Sequence, residues 1–287
     1  MENQRTQDGP APHSVTGNAV TRCAGGLSVS CVIPTFNRRS QLALALDSVI
    51  CQTTPLHEII IVDDGSTDGT AEMLQEFARL HEDFPVVVIR QENSGPAVAR
   101  NTAIEAASGD LIAFLDDDDI WLPEKTERQL AALETSPEVC LLGCAADTLV
   151  PAGGAHFVDI NEWRMLVRNW FLTPGVIARR SVLIDCGGFP ARMQHCEDYA
   201  LWLKIASRYR CALLNEVLVI CGHGKPSFGY SGLSADLDAL HVGELEALAE
   251  WRKECDSGPG MAFLARGLAE LRHLRRKFMC RFLKGPA

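Results

Sequence analysis

Four consecutive aspartates, Asp116 to Asp119, follow directly on the apolar run Leu111–Leu115. Carboxylates set side by side raise one another's pKa unless a cation offsets the repulsion. A hard divalent ion with oxygen ligands, Mn²⁺ or Mg²⁺, suits such a run. The structural alternative is a solvated acidic turn, with Asp119 near the start of the next helix. Two other apolar runs end in the same manner, one in Pro34-Thr35-Phe36-Asn37-Arg38 and one in Asp63-Asp64-Gly65-Ser66. A carboxylate just beyond a strand can accept from a ring N–H or a ribose hydroxyl. Ser66 or Asp68 could also simply cap the helix that follows. Neither GxGxxG nor GxxxxGK[ST] occurs. Phosphates bound here would therefore need a metal and basic side chains, and Arg38 and Arg100 are the cations at hand. Further along, Glu197 and Asp198 open another helical stretch, where the dipole favours an ionised aspartate.

The elements that must position these residues follow from periodicity. Ser28–Pro34, Glu58–Val62, Val86–Ile89, Leu111–Leu115 and Val139–Cys144 are short continuous apolar runs. Between them, Ser40–Gln52, Thr67–Leu80, Pro96–Ala107 and Pro123–Glu134 carry apolar residues three and four apart. That alternation predicts buried parallel strands joined by helical crossovers, an α/β sheet between helices. The three polar runs then lie beyond the carboxyl ends of the first, second and fourth strands, where open parallel sheets bind ligands. Three loops converge on one site.

After about Ala145 the alternation breaks down. A strand is expected at Gly175–Ala178, a turn at Gly187-Gly188, a helix over Asp198–Arg208 and a strand over Cys211–Ile220. Residues 221–234 read as loop, and helices are expected at about 235–254 and 261–283. Residues 1–27 show no apolar period and are expected to form a disordered tail.

Composition narrows the classes. The chain has 287 residues, 47% hydrophobic and 22% charged, which excludes a wholly disordered, collagen-like or coiled-coil protein. A net charge of −10 disfavours nucleic acid as a partner. No apolar run approaches the roughly 20 residues that span a bilayer, and the first residues lack the apolar stretch of a secretory leader. The expected location is cytoplasmic. Eleven cysteines, an odd number without CxxC spacing, are expected to be reduced and to hold no zinc.

Five blocks carry a resemblance. VIPTFNR (32–38), IIIVDDGSTDGT (59–70), NSGPAVARNTAIEAASGDLIAFLDDDD (93–119), GGFP (187–190) and HCEDYALWLKIA (195–206) stand in the order seen in family 2 glycosyltransferases. The resemblance implies the GT-A fold, a Rossmann-like, mostly parallel sheet flanked by helices. It implies a domain over 28–234, with a nucleotide half (28–144) and an acceptor half (145–234), followed by a C-terminal helical extension (235–287). The implied donor is a nucleotide-diphospho-sugar, a UDP-sugar by expectation, and the implied acceptor a glycan or a lipid-linked glycan. Pro34, Thr35, Asn37, Arg38, Asp64 and Arg100 would contact the nucleotide, with Asp64 reading the base. Asp116 would hold the ribose, Asp117 would fill the middle of the DxD motif, and Asp118 would bind the metal. Asp198 would be the general base, with Glu197, Gly188 and Trp202 on the acceptor side. His223 would touch the metal or diphosphate, a solvated loop histidine being the alternative. Inversion at the anomeric carbon is implied as well.

The departures are informative. A QxxRW motif is absent, as are membrane spans, so transfer of a single sugar is expected. A sugar nucleotidyltransferase would show a glycine-rich loop after the first strand, and PTFNRRS has none. A non-catalytic binding module would have lost carboxylates that are all present. The segment 263–284 holds seven basic residues and one acidic residue. Leu264, Leu268, Leu271, Leu274, Phe278 and Phe282 recur along it at helical spacing. Such a helix suits peripheral contact with the inner face of a membrane. Packing of its apolar face on the core, or on a second subunit, is the alternative.

Overall fold

A computed structural model describes residues 26–148, 154–222, 235–254 and 259–283. In chain order the first half runs β1 (Val29–Thr35), α1 (Arg39–Ile50), β2 (Glu58–Asp63), α2 (Thr70–Leu80), β3 (Val86–Arg90), α3 (Pro96–Ala106) and β4 (Leu111–Phe114). The second half adds β5 (Ile120–Trp121), α4 (Lys125–Thr135), β6 (Leu141–Ala146), β7 (Phe157–Ile160), α5 (Glu162–Val167), β8 (Ile177–Arg179) and α6 (Arg180–Asp185). It continues with α7 (Glu197–Ala206), β9 (Cys211–Ile220), α8 (Leu237–Glu254) and α9 (Pro259–Leu283).

The strands order as β3-β2-β1-β4-β8-β6-β9-β5, with β7 paired to β9. From β3 to β4 every pairing is parallel. Beyond β4 the sheet is mixed, because three-residue β8 runs antiparallel between β4 and β6. Strands β1, β2 and β4 are buried along their whole length. That is why they read as unbroken apolar runs: helices cover both faces. Alternate residues feed two cores. Val32, Ile60, Val62 and Phe114 point to one, and Cys31, Ile33, Ile59 and Ile61 to the other.

Parallel register brings the polar runs to one edge. Thr35 stands opposite Asp63, and the Asp64 N–H donates to the Thr35 carbonyl at 2.9 Å. At the far end, α9 turns Ala265 and Ala269 inward, while Phe263, Leu264, Leu271 and Leu274 are exposed. Most of the apolar stripe on α9 thus faces outward, while Leu268 packs on the core beside Ala265 and Ala269. The described cysteines are all free.

Candidate active site

The loop after β1 is held by hydrogen bonds to the loop after β2. Asn37 takes a left-handed conformation (φ 53°). Its N–H donates to Ser66 Oγ at 2.9 Å, and its Oδ1 accepts the Thr67 N–H at 2.8 Å. Asn tolerates that backbone region better than most residues. Arg38 is thereby aimed across the crevice, and its Nη1 lies 2.9 Å from Asp118 Oδ2. Both side chains are partly exposed. Pro34, one residue before the strand ends, is buried within the sheet in register with Val62.

Asp64 is buried and occupied. Its carboxylate accepts from Gln91 Nε2 (2.7 Å) and from the backbone N–H groups of Ser94 (2.9 Å) and Gly95 (2.8 Å). These bonds tie β2 to the start of α3, where Pro96 occupies the first turn. Asp64 therefore shapes the loop as well as facing the crevice.

Within the aspartate run the four carboxylates are treated differently. Asp116 accepts from Arg100 Nη2 at 2.7 Å. Asp117 accepts from Thr35 Oγ1 at 2.8 Å. Burial and the neighbouring carboxylates push Asp117 up to about 6 against the pull of Thr35 and Arg38. Asp119 is buried, caps the Gly222 N–H at 2.6 Å and is pushed up to about 8 by burial and by the charge of Asp116. The helix-capping alternative does not describe Asp119: it ties the aspartate turn to the end of β9, 103 residues away.

Arg100 is the centre of the crevice floor. It is buried, with Nη2 on Asp116 and Nη1 on Glu197 Oε1 at 2.9 Å. Its guanidinium carbon lies 5.3 Å from the Phe189 ring centroid. Consecutive positions on a helix point about 100° apart, so Glu197 and Asp198 separate. Glu197 turns in to Arg100, while Asp198 accepts from Asn169 Nδ2 at 3.4 Å and from the Tyr199 N–H at 2.6 Å. Burial, then the Glu197 charge, push Asp198 up to about 7, although the Tyr199 N–H and Arg100 act against them.

The chain resembles known proteins throughout this region. The model of the family described as glycosyl transferase family 2 matches residues 30–179, just over half of the chain. The chain belongs to glycosyltransferase family 2. TuaG of Bacillus subtilis, a glycosyltransferase named for teichuronic acid biosynthesis, is 48% identical over 102 residues, 36% of this chain and 40% of TuaG. The chain thus spans well under half the length of that relative. Escherichia coli WfgD, a UDP-Glc:α-D-GlcNAc-diphosphoundecaprenol β-1,3-glucosyltransferase by name, is 29% identical over 65% of this chain and 73% of WfgD. The mannosyltransferase PcManGT of Pyrobaculum calidifontis, solved with GDP-Man and Mn²⁺, superposes with a TM-score of 0.64. That match has 22% identity and covers 94% of this chain and 79% of PcManGT, a likeness of fold.

The remaining family motif positions fall in different places. Trp202 is fully buried, its ring 5.8 Å from Phe114 and 5.4 Å from Phe189 between centroids. It is part of the core under the crevice, and its ring reaches no acceptor in this arrangement. Gly188 adopts φ +68°, and a Cβ there would stand 2.5 Å from Asn101 Oδ1. Its work is to let Asn101 clamp the Phe189 backbone, with bonds of 2.7 and 2.8 Å. His223 lies outside the described residues.

Asn101 and Asn169 escaped the sequence reading. Asn101 had a signal, since it follows Arg100 inside a family block. Asn169 had none.

The donor set fits a divalent cation of the hard kind. Among the described residues no three His, Cys, Asp or Glu side chains form a ready cage. Mg²⁺-like ions are commonly held by one or two carboxylates and completed by substrate phosphates. Asp118 is accessible and Asp116 adjoins it, both with oxygen donors only. Asp117 and Asp119 are pushed up first by burial and then by the neighbouring carboxylates, and a cation bound beside them would favour their ionised forms.

Proposed function

We propose that this chain transfers one sugar from a nucleotide-diphospho-sugar, a UDP-sugar by preference, to a hydroxyl of a glycan or lipid-linked acceptor, with inversion at the anomeric carbon. The observation that carries the reading is the bridge made by Arg100 between Asp116 in the nucleotide half and Glu197 in the acceptor half, directly beside Asp198. Donor and acceptor elements are thereby fixed to one cation. The UDP-sugar named for WfgD and the teichuronic acid role named for TuaG support a place in cell-surface glycan assembly.

The acceptor hydroxyl is a weak nucleophile until a carboxylate takes its proton as the new bond forms, help worth about 10²–10⁴-fold. Asp198, poised near neutrality, suits that work, and Asn169 steadies its second oxygen. Glu197 keeps Arg100 oriented, and Arg100 in turn holds Asp116 toward the ribose. Arg38 and Arg100 offset the charge that develops on the departing nucleoside diphosphate. A Mn²⁺ or Mg²⁺ ion at Asp118, with Asp116 near it, would supply further positive charge to that diphosphate. The Mn²⁺ named for PcManGT supports this choice.

The test is release of nucleoside diphosphate from a panel of nucleotide sugars, with and without Mn²⁺. Slow, metal-dependent release from one donor, with sugar carried to an added acceptor, is the expected result. Conversion of the donor to nucleoside triphosphate and sugar 1-phosphate only when pyrophosphate is added would make the chain a nucleotidyltransferase. No turnover with intact donor binding would make it a binding module.

A further inference from the structure

The outward face of α9 joins a second exposed surface. Helix α5 exposes Trp163 and Val167 and lies against α9. Arg272 of α9 reaches across to the carbonyls of Leu166 and Val167. On α9, Phe263 is 82%, Leu271 63% and Leu274 62% exposed. Two touching helices thus each carry large exposed apolar side chains, and apolar surface gathered in this way on a soluble protein marks an interaction site.

The charges around this patch are sorted. Arg272 and Arg276 turn inward to Glu244, and Lys277 pairs with Asp238. Arg272 and Arg276 hold α9 to α8 and are taken up by buried Glu244, whereas the Lys277–Asp238 pair is exposed and loosely held. Arg266 and Arg275 are exposed and have no carboxylate partner among the described residues. Arg168, at the end of α5, stacks 4.9 Å over the Trp170 ring and is likewise free of carboxylates there. It lies close enough to Arg275 for that charge, after burial, to depress it. Arg168 and Arg275, two neighbouring unneutralised guanidiniums beside aromatic and aliphatic side chains, are the complement of an anionic, amphipathic surface.

We propose that α9 and α5 dock the protein on an anionic lipid bilayer, with Phe263, Leu264, Leu271, Leu274, Trp163 and Val167 entering the interface and Arg168 and Arg275 meeting the headgroups. The consequence for the crevice is direct. Asn169, which bonds Asp198, is the residue after Arg168, so a docked chain holds the mouth beside Asp198 at the bilayer surface. An acceptor carried on a lipid diphosphate would arrive there without leaving the membrane. This consequence rests on the proposed role of Asp198; the docking does not.

Flotation of the full chain tests it at ~0.1 M salt, with vesicles of phosphatidylcholine alone or with about one third phosphatidylglycerol and no nucleotide sugar present. Binding to the anionic vesicles is expected, with little to the neutral ones. Each basic residue near anionic lipid is worth about 1 kcal/mol, roughly five-fold. Arg168→Glu with Arg275→Glu should therefore lower the bound fraction by at least about 25-fold. Leu271→Gln with Leu274→Gln should lower it comparably at an unchanged melting temperature and with unchanged donor hydrolysis in solution. Should one pair fail to fold, the other decides. Equal flotation on both vesicles, none on either, or variants that float like the parent would overturn the proposal. So would a stable dimer that the leucine pair disperses, because a second copy would then be the occupant. Donor hydrolysis read separately keeps failure of docking distinct from failure of the transferase reading.

Discussion

Arg100 and Glu197 form a buried ion pair at 2.9 Å across 97 residues of sequence, and the same guanidinium holds Asp116 at 2.7 Å. Removing one partner from a buried pair leaves uncompensated charge, at a cost of about 3–5 kcal/mol. Arg100→Ala should therefore lower unfolding stability by about 3 kcal/mol in urea titrations and reduce turnover as well. Arg100→Lys, with one ammonium in place of a fork, can reach Asp116 or Glu197 but not both, and should fall between. A fully stable Arg100→Ala chain would remove the bridge from the account.

Asp198→Asn keeps the shape of the side chain and its bond from the Tyr199 N–H, but cannot take a proton. A fall in kcat of at least about 10²-fold is expected, with donor KM little changed. The ionised carboxylate is the active form, and Asp198 is pushed up to about 7. Activity should accordingly drop as pH falls below neutrality, and the residual activity of the Asn variant should lose that acid limb. Near-normal kcat in the variant would transfer the proton to another acceptor.

How much of this was legible in the sequence depends on element length. Strands β1, β2 and β4 announced themselves because burial on both faces makes an unbroken apolar run, and their polar ends marked the crevice. β5, with two residues, was too short to read. β8 was expected near its place, at Gly175–Ala178, but three residues carry no sign of direction, and its antiparallel run is what turns the sheet from parallel to mixed. The Glu197-Asp198 dipeptide could be read as two carboxylates on one helix turn. That the first faces inward to Arg100 and the second the crevice depends on how α7 packs over Phe114 and Phe189. Trp202 shows the same limit from the other side: the resemblance put it on the acceptor side, whereas its ring is buried against Phe114 and Phe189.

Asp118 and Arg38 meet at 2.9 Å with more than a third of each side chain exposed, so their pairing adds little stability and is easily exchanged for a ligand. Asp118→Ala should leave the melting temperature of the free protein within about a degree or two. It should abolish the extra stabilisation that Mn²⁺ adds to nucleoside diphosphate binding, read by thermal shift. Full Mn²⁺ dependence in the variant would move the ion to another carboxylate.

Gly188→Ala places a methyl group 2.5 Å from Asn101 Oδ1 at φ +68°, whereas Gly187, at φ +79°, has nothing within 4 Å of its virtual Cβ. Both substitutions carry the cost of left-handed backbone, about 1 kcal/mol or more. Only the first also breaks the Asn101 clamp on Phe189. A larger loss of stability for Gly188→Ala than for Gly187→Ala is expected in denaturant titrations, together with weaker catalysis. Equal effects would reduce the role of Gly188 to its backbone angle.

The crowded aspartates also set how stability depends on pH. Asp117, Asp198 and Asp119 are pushed up to about 6, 7 and 8 from an ordinary value of 3.8. Between about pH 5 and 8 the folded chain therefore keeps protons that the unfolded chain has released. Stability must fall as pH rises wherever the native state binds more protons. Lys125, buried and pushed down to about 8, acts in the opposite direction only above that pH, so the window below it isolates the carboxylates. The melting temperature of the ligand-free protein should decline from about pH 5.5 to pH 8. Saturating Mn²⁺ with nucleoside diphosphate should flatten the decline, because a bound cation favours the ionised forms. A flat profile without metal would mean that these carboxyls ionise freely in the folded chain, and the case for a cation at the aspartate run would lose its electrostatic ground.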